Sequence, residues 1–139
     1  MIQLIVGKEG KGKTKQILDK VNEEIKGASG NIVYLDRSSK NMFELNNKVR
    51  LIDVSEYNFN DSSELIGFIY GIISQDHDIE QIYIDGLMKM VDLDVAKLND
   101  LCVKLDSISN KFKFTLIASA SVEESDVIAD LKDKVIVSL

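Results

Sequence analysis

Short, nearly solid apolar runs alternate along this chain with longer stretches in which apolar residues recur at helical spacing. Ile2-Gln3-Leu4-Ile5-Val6 is rich in β-branched residues and predicts a strand buried in a parallel sheet. After a glycine-rich break, Ile17, Leu18, Val21 and Ile25 predict a helix, with Gly27 as its stop. Asn31-Ile32-Val33-Tyr34-Leu35 predicts a second strand, and Val49 to Val54, with Asp53 inside it, an additional strand suited to a sheet edge. The polar residues Lys40 to Lys48 between them read as a loop or a short helical turn.

Asp61-Ser62-Ser63-Glu64 has the spacing of a capping box. Behind it Leu65, Ile66, Phe68, Ile69, Ile72 and Ile73 predict an apolar helix ending near Gln75, followed by a polar turn that holds His77. Gln81 to Asp85 predicts a strand running into an aspartate. Leu98, Leu101, Cys102, Leu105 and Ile108 mark a further helix, and Phe112 to Ala118 a strand that ends in Ser119-Ala120-Ser121. Ser121 and Glu124 repeat the capping-box spacing ahead of Val127, Ile128 and Leu131, which predicts a short helix. Val135-Ile136-Val137 closes the chain as a strand. Strands alternating with helices predict an α/β fold: a three-layer α/β/α sandwich around a mainly parallel five- or six-stranded sheet.

Composition changes this picture little. The 139 residues suit one domain, 1–139, and no linker, repeat or low-complexity segment divides them. Hydrophobic residues at 45% and charged residues at 29% describe an ordinary globular chain. No apolar run reaches the length of a membrane span, and the first residues lack the charged-then-apolar pattern of a leader. One cysteine, Cys102, allows no internal disulfide and suits a cytoplasmic location. A net charge of −6 argues against a broad nucleic-acid footprint and leaves room only for a local basic patch. His77 has too few metal-ligating neighbours at useful spacing to make a site.

The break after the first strand carries the chemistry. Gly7 to Thr14 reads G-K-E-G-K-G-K-T, so Gly7 is followed after four residues by Gly12-Lys13-Thr14. The strand before it and the helix after it would aim successive backbone N–H groups and a positive helix end at one point. Gly7, Gly10 and Gly12 suit positive φ and close approach to an anion. Lys13 would reach the outer phosphates of a nucleotide and Thr14 would ligate Mg²⁺. Lys8 and Lys11 add positive field at the mouth, with Glu9 and Lys15 completing the loop's binding surface. The alternative is a glycine-rich turn that binds nothing.

Together these residues resemble a minimal phosphate-loop nucleoside triphosphatase of the RecA-like branch, and only Gly7 to Thr14 is specific. The resemblance implies ATP and Mg²⁺ as cofactors, Asp85 as the metal-supporting aspartate, and Lys13 and Asp85 in catalysis. Phe112 to Ser121 resembles the adjacent strand of that branch, whose polar end senses the γ-phosphate. Ser119 is then a candidate sensor; a serine starting a helix is the other reading. Relatives that carry a catalytic glutamate after the magnesium aspartate differ here, since Gly86 follows Asp85. RecA-like proteins carry it after the loop helix's strand, where this chain has Asp36, one methylene shorter.

Neither Asn47-Lys48 nor Asn110-Lys111 continues into the guanine-reading aspartate, which favours ATP over GTP. Arg37 and Arg50 are too few arginines for a kinase lid. The loop is also similar to that of ATP:corrinoid adenosyltransferases, and the chain's size order to that of thymidine kinases, without their remaining motifs. The implied function is Mg-ATP binding with weak or partner-activated hydrolysis. The alternatives are a non-enzymatic switch or assembly module, and a small-molecule kinase or nucleotidyl transferase. Arg37 and the apolar connection Gly86 to Val91 suggest a homo-oligomer or protein partner at the loop edge. An Asp36–Arg37 surface pair and a connection folded back into the core are the bland alternatives.

Overall fold

A computed structural model describes all 139 residues. Six strands form one sheet: β1 (Ile2–Val6), β2 (Asn31–Asp36), β3 (Arg50–Asp53), β4 (Ile79–Ile84), β5 (Thr115–Ala120) and β6 (Val135–Ser138). Their order is β3-β2-β4-β5-β1-β6, and every neighbouring pair is parallel. The expected edge position of the third run is realised, because β3 pairs with β2 alone. The helices are α1 (Lys13–Glu24), α2 (Ser62–Gln75), α3 (Leu87–Met90) and α4 (Val95–Phe112). No helix is long and apolar enough to cross a membrane.

The solid apolar runs of β1, β2, β4 and β5 follow from burial of these strands on both faces, whereas the edge strands β3 and β6 are only partly buried. One face joins Leu4, Val33, Ile84 and Ala118 to α2, α3 and α4 in a core of 29 buried residues. The other joins Ile5, Ile32, Tyr34, Tyr83 and Ile117 to α1 in a core of 11. Helices therefore cover both faces, but unequally. A single helix, α1, covers the smaller core, so its N-terminus stands alone over the strand ends on that side.

Local signals explain most boundaries. The Asp61 side chain caps α2 by accepting from the Glu64 N–H at 3.1 Å, and Glu64 reaches back to the Asn60 N–H at 3.3 Å. Two expectations change. The strand expected from Phe112 begins at Thr115, because α4 runs on to Phe112 and Lys113 ends it at a φ of 59°. The short helix expected after Ser121 is two 3₁₀ turns, Glu124–Asp126 and Ala129–Lys134, and the reciprocal cap joins Glu123 and Asp126 rather than Ser121 and Glu124. The buried Asn99 amide explains the break between them. It donates to the Asp126 carbonyl and accepts from the Ile128 N–H, both at 3.0 Å, and so holds backbone groups that a helix would use.

Of the two readings of Gly86 to Val91, the connection folded back into the core is the one observed. Leu87, Met90 and Val91 are buried in the larger core, α3 forms between them, and only Lys89 is fully exposed. Its apolar composition is explained by packing.

Candidate functional site

Because all six strands run the same way, their C-terminal ends share one sheet edge. Side chains alternate between faces with a period of two. On the α1 face lie Ile5 of β1, Ile117 of β5, Tyr83 of β4 and Tyr34 of β2. Two residues further along each strand, on that same face, come Gly7, Ser119, Asp85 and Asp36. The first turn of α1 begins above them with Lys13 and Thr14. Strand β5 lies between β1 and β4, so Ser119 falls between the glycine loop and Asp85.

The loop adopts the backbone its glycines allow. Gly10 and Gly12 take φ of 82° and 91°, a left-handed region in which other residues are strained. Gly7 is required for a different reason, since a Cβ there would lie 2.9 Å from the Leu139 Cβ. Gly12 caps α1 with no side-chain hydrogen bond, which leaves the first-turn N–H groups to a ligand or to water.

Lys13 is buried, pairs with no carboxylate, and donates from Nζ to the Lys8 carbonyl at 3.0 Å. Desolvation lowers its pKa, and the positive charge of Lys89 lowers it further against Glu9 and Asp85. A buried cation held in this way is poised to gain from an anion.

Asp85 is the hub of the site. One carboxylate oxygen accepts from Ser119 Oγ at 3.0 Å and from Thr14 Oγ1 at 3.4 Å; the other accepts from Tyr34 Oη at 3.3 Å. Ser119 Oγ in turn accepts from the Gly86 N–H at 2.7 Å. Burial raises the Tyr34 pKa, and the charges of Asp85 and Asp36 raise it further, so the phenol stays protonated as a donor. Glu9, Gly12, Lys13, Thr14, Asp85 and Ser119 surround a cavity of about 150 Å³.

The structure thus brings Glu9, Gly10, Gly12, Lys13, Thr14, Asp85 and Ser119 together, while Gly7 lies outside the cavity against Leu139. Ser119 lies inside β5, not at a helix start, which removes that alternative reading. Other expected residues fall outside the cavity. Lys8 pairs with Glu123 at 3.1 Å, Lys15 pairs with Asp19 at 3.0 Å, and Lys11 is exposed. Asp36 lines a neighbouring cleft instead. Its oxygens accept from the Arg37 N–H at 2.7 Å and from Asn41 Nδ2 at 3.1 Å. Desolvation raises its pKa and these hydrogen bonds oppose the rise. Arg37 makes no ion pair with Asp36; its Nη1 donates to the Lys89 carbonyl at 2.6 Å.

Sequence reasoning missed Tyr34, Lys89 and Ser121, the last two of which line the cavity. Parity along β2 is the signal for Tyr34, which stands two residues before Asp36 on the same face. No cluster of three or more His, Cys, Asp or Glu side chains gathers as a metal site. Thr14 and Asp85 are the residues that could hold a Mg²⁺ ion, which is commonly bound by one or two carboxylates together with substrate phosphates. Compared with protein-family models and with curated proteins, the chain matches none.

Proposed function

We propose that this chain is a Mg-ATP-binding phosphate-loop protein of the RecA-like type, a weak or partner-activated ATPase. The observation that carries the reading is the convergence of Lys13, Thr14 and Asp85, with Thr14 Oγ1 and Asp85 Oδ1 3.4 Å apart, beneath uncapped first-turn amides. Amides from Gly10 to Thr14 and the Lys13 ammonium would hold the phosphates. Thr14 and Asp85 would hold the metal. An ion held there would supply positive charge against the charge that develops on the phosphates. Ser119 and Tyr34 fix the Asp85 carboxylate, so its orientation is set before a ligand arrives.

Activation of water is less well provided. Asp36, the expected substitute for the missing glutamate, opens on the neighbouring cleft, and both its oxygens already accept hydrogen bonds. Unaided hydrolysis is therefore slow. The same observation favours a second reading, a nucleotide-dependent switch or assembly module that turns over little or not at all. Steady-state phosphate release separates them. The expected result is saturable Mg-ATP binding with turnover on the order of 10⁻² s⁻¹ or slower, as in phosphate-loop proteins lacking a partner's catalytic group. Turnover near the roughly 10 s⁻¹ typical of enzymes would contradict both readings.

Tyr34 offers a finer test. Tyr34→Phe removes one donor to Asp85 and keeps the ring that stacks on Tyr83, whose centroid is 6.2 Å away. Affinity for Mg-ATP should fall by about 1 kcal/mol, the worth of one hydrogen bond, with metal-free ATP binding unchanged. Paired titrations with and without Mg²⁺ check this; equal losses in both would remove Tyr34 from the metal site.

A further inference from the structure

Beside the loop cavity, between the ends of β2 and β4, opens a second cleft of about 790 Å³. That volume lies in the range of small-molecule sites. Three cations line it: Arg37, Lys40 and Lys89. None of them pairs with a carboxylate, and what sets them apart from the chain's other unpaired cations is that they share one concave surface. In a chain of net charge −6, three unpaired cations on one concave surface form a local positive field. Two carboxylates also line the cleft. Asp36 is buried and occupied by Arg37 and Asn41, and Asp92 is exposed.

The rest of the lining has a second character. Phe59, Met88, Met90 and Val91 give the cleft an apolar floor, with the amides of Asn58 and Asn60 beside it. Phe59 is braced edge-to-face on Phe68, with centroids 5.3 Å apart. Arg37 is also held in place, by its Nη1 bond to the Lys89 carbonyl, which leaves the other guanidinium N–H groups for a ligand. A fixed arginine loses less conformational entropy on binding than a free one.

We propose that this cleft binds a small molecule carrying an anionic group, of the phosphate-monoester kind, on an aromatic or apolar body. Arg37, Lys40 and Lys89 take the anion, and Phe59, Met88 and Met90 take the body. Lys89 lines this cleft and the loop cavity alike, so the ligand lies next to whatever the loop holds. The site itself does not depend on the loop binding a nucleotide.

Phenyl phosphate serves as the probe, followed by backbone amide NMR shifts in the wild type and in Lys13→Ala, which disables the loop. Saturable shifts at Arg37, Asn58, Lys89 and Met90 are expected in both proteins. Arg37→Ala and Lys40→Ala should each weaken binding about tenfold, the worth of one charge-assisted contact, and Lys104→Ala, remote from the cleft, should not. Phenol, the neutral counterpart, should bind more weakly than phenyl phosphate. Shifts confined to Gly7 to Thr14 and lost in Lys13→Ala would overturn the proposal. So would unchanged affinity in the Arg37 and Lys40 variants, or equal affinity for the neutral probe. Failure of ATP to bind the loop, with the cleft shifts intact, would sink the nucleotide reading alone.

Discussion

Replacing Lys13 with alanine should abolish most of the stabilisation that Mg-ATP gives the wild type, roughly 2.7 kcal/mol at about 100 times its Kd. The size follows from where Lys13 sits. It is buried, unpaired with any carboxylate, and held only by the Lys8 carbonyl. An arriving phosphate chain therefore meets a cation whose solvation has already been lost. The apo fold should be no less stable in the variant, which separates lost binding from lost folding.

A pH dependence follows as well. Desolvation holds the folded-state pKa of Lys13 below its ordinary value of 10.5, so the protonated side chain opposes folding below that lowered pKa. The opposition fades as pH rises from the lowered pKa towards 10.5, and Lys13→Ala should lack that alkaline gain. Thermal melting with and without Mg-ATP checks both points. An undiminished ligand-induced shift in the variant would remove the phosphate-loop assignment.

The second large effect is expected at Asp85. Asp85→Asn keeps the shape of the side chain but replaces one acceptor oxygen with a donor and removes the charge. Ser119, Thr14 and Tyr34 all donate to this carboxylate, so the amide cannot satisfy all three. Mg-ATP binding should weaken by about 1.5–3 kcal/mol, the range for an interaction with a charged group. Metal-free ATP should bind as well as before or better, because a negative charge beside the phosphates has gone. Titration with and without Mg²⁺ measures the split. Equal losses in both, or a variant that does not fold, would return Asp85 to the role of a strand-end turn.

The four inner strands and the loop were legible because each of those strands, buried on both faces, needs a nearly unbroken apolar run, and because Gly10 and Gly12 occupy backbone that favours glycine. Sheet order was not legible, since nothing local in Thr115 to Ala120 says that it inserts between β1 and β4. That insertion is what delivers Ser119 to Asp85. Tyr34 was hidden by its own chemistry: in an apolar run an aromatic ring reads as core, and its hydroxyl matters only once β4 is known to pair beside β2 with Leu35 opposite Ile84.

Two boundaries failed for local reasons. Lys113 ends α4 in a conformation usually left to glycine, so no stop signal marked it. Asn99 reaches 27 residues along the chain to break the helical pattern near Val127. The apolar connection after Asp85 was legible only as a choice, because a partner surface and a stretch folded back into the core call for the same residues; burial of Leu87, Met90 and Val91 selects the second.

The most direct measurement is a crystal structure of the chain grown with Mg²⁺ and a non-hydrolysable ATP analogue. The account predicts the outer phosphates against the amides of Gly10 to Thr14 and Lys13 Nζ released from the Lys8 carbonyl to meet them. It also predicts a metal ion between Thr14 and Asp85. An analogue bound elsewhere, or a loop that keeps its Lys13–Lys8 contact with no phosphate on it, would contradict it.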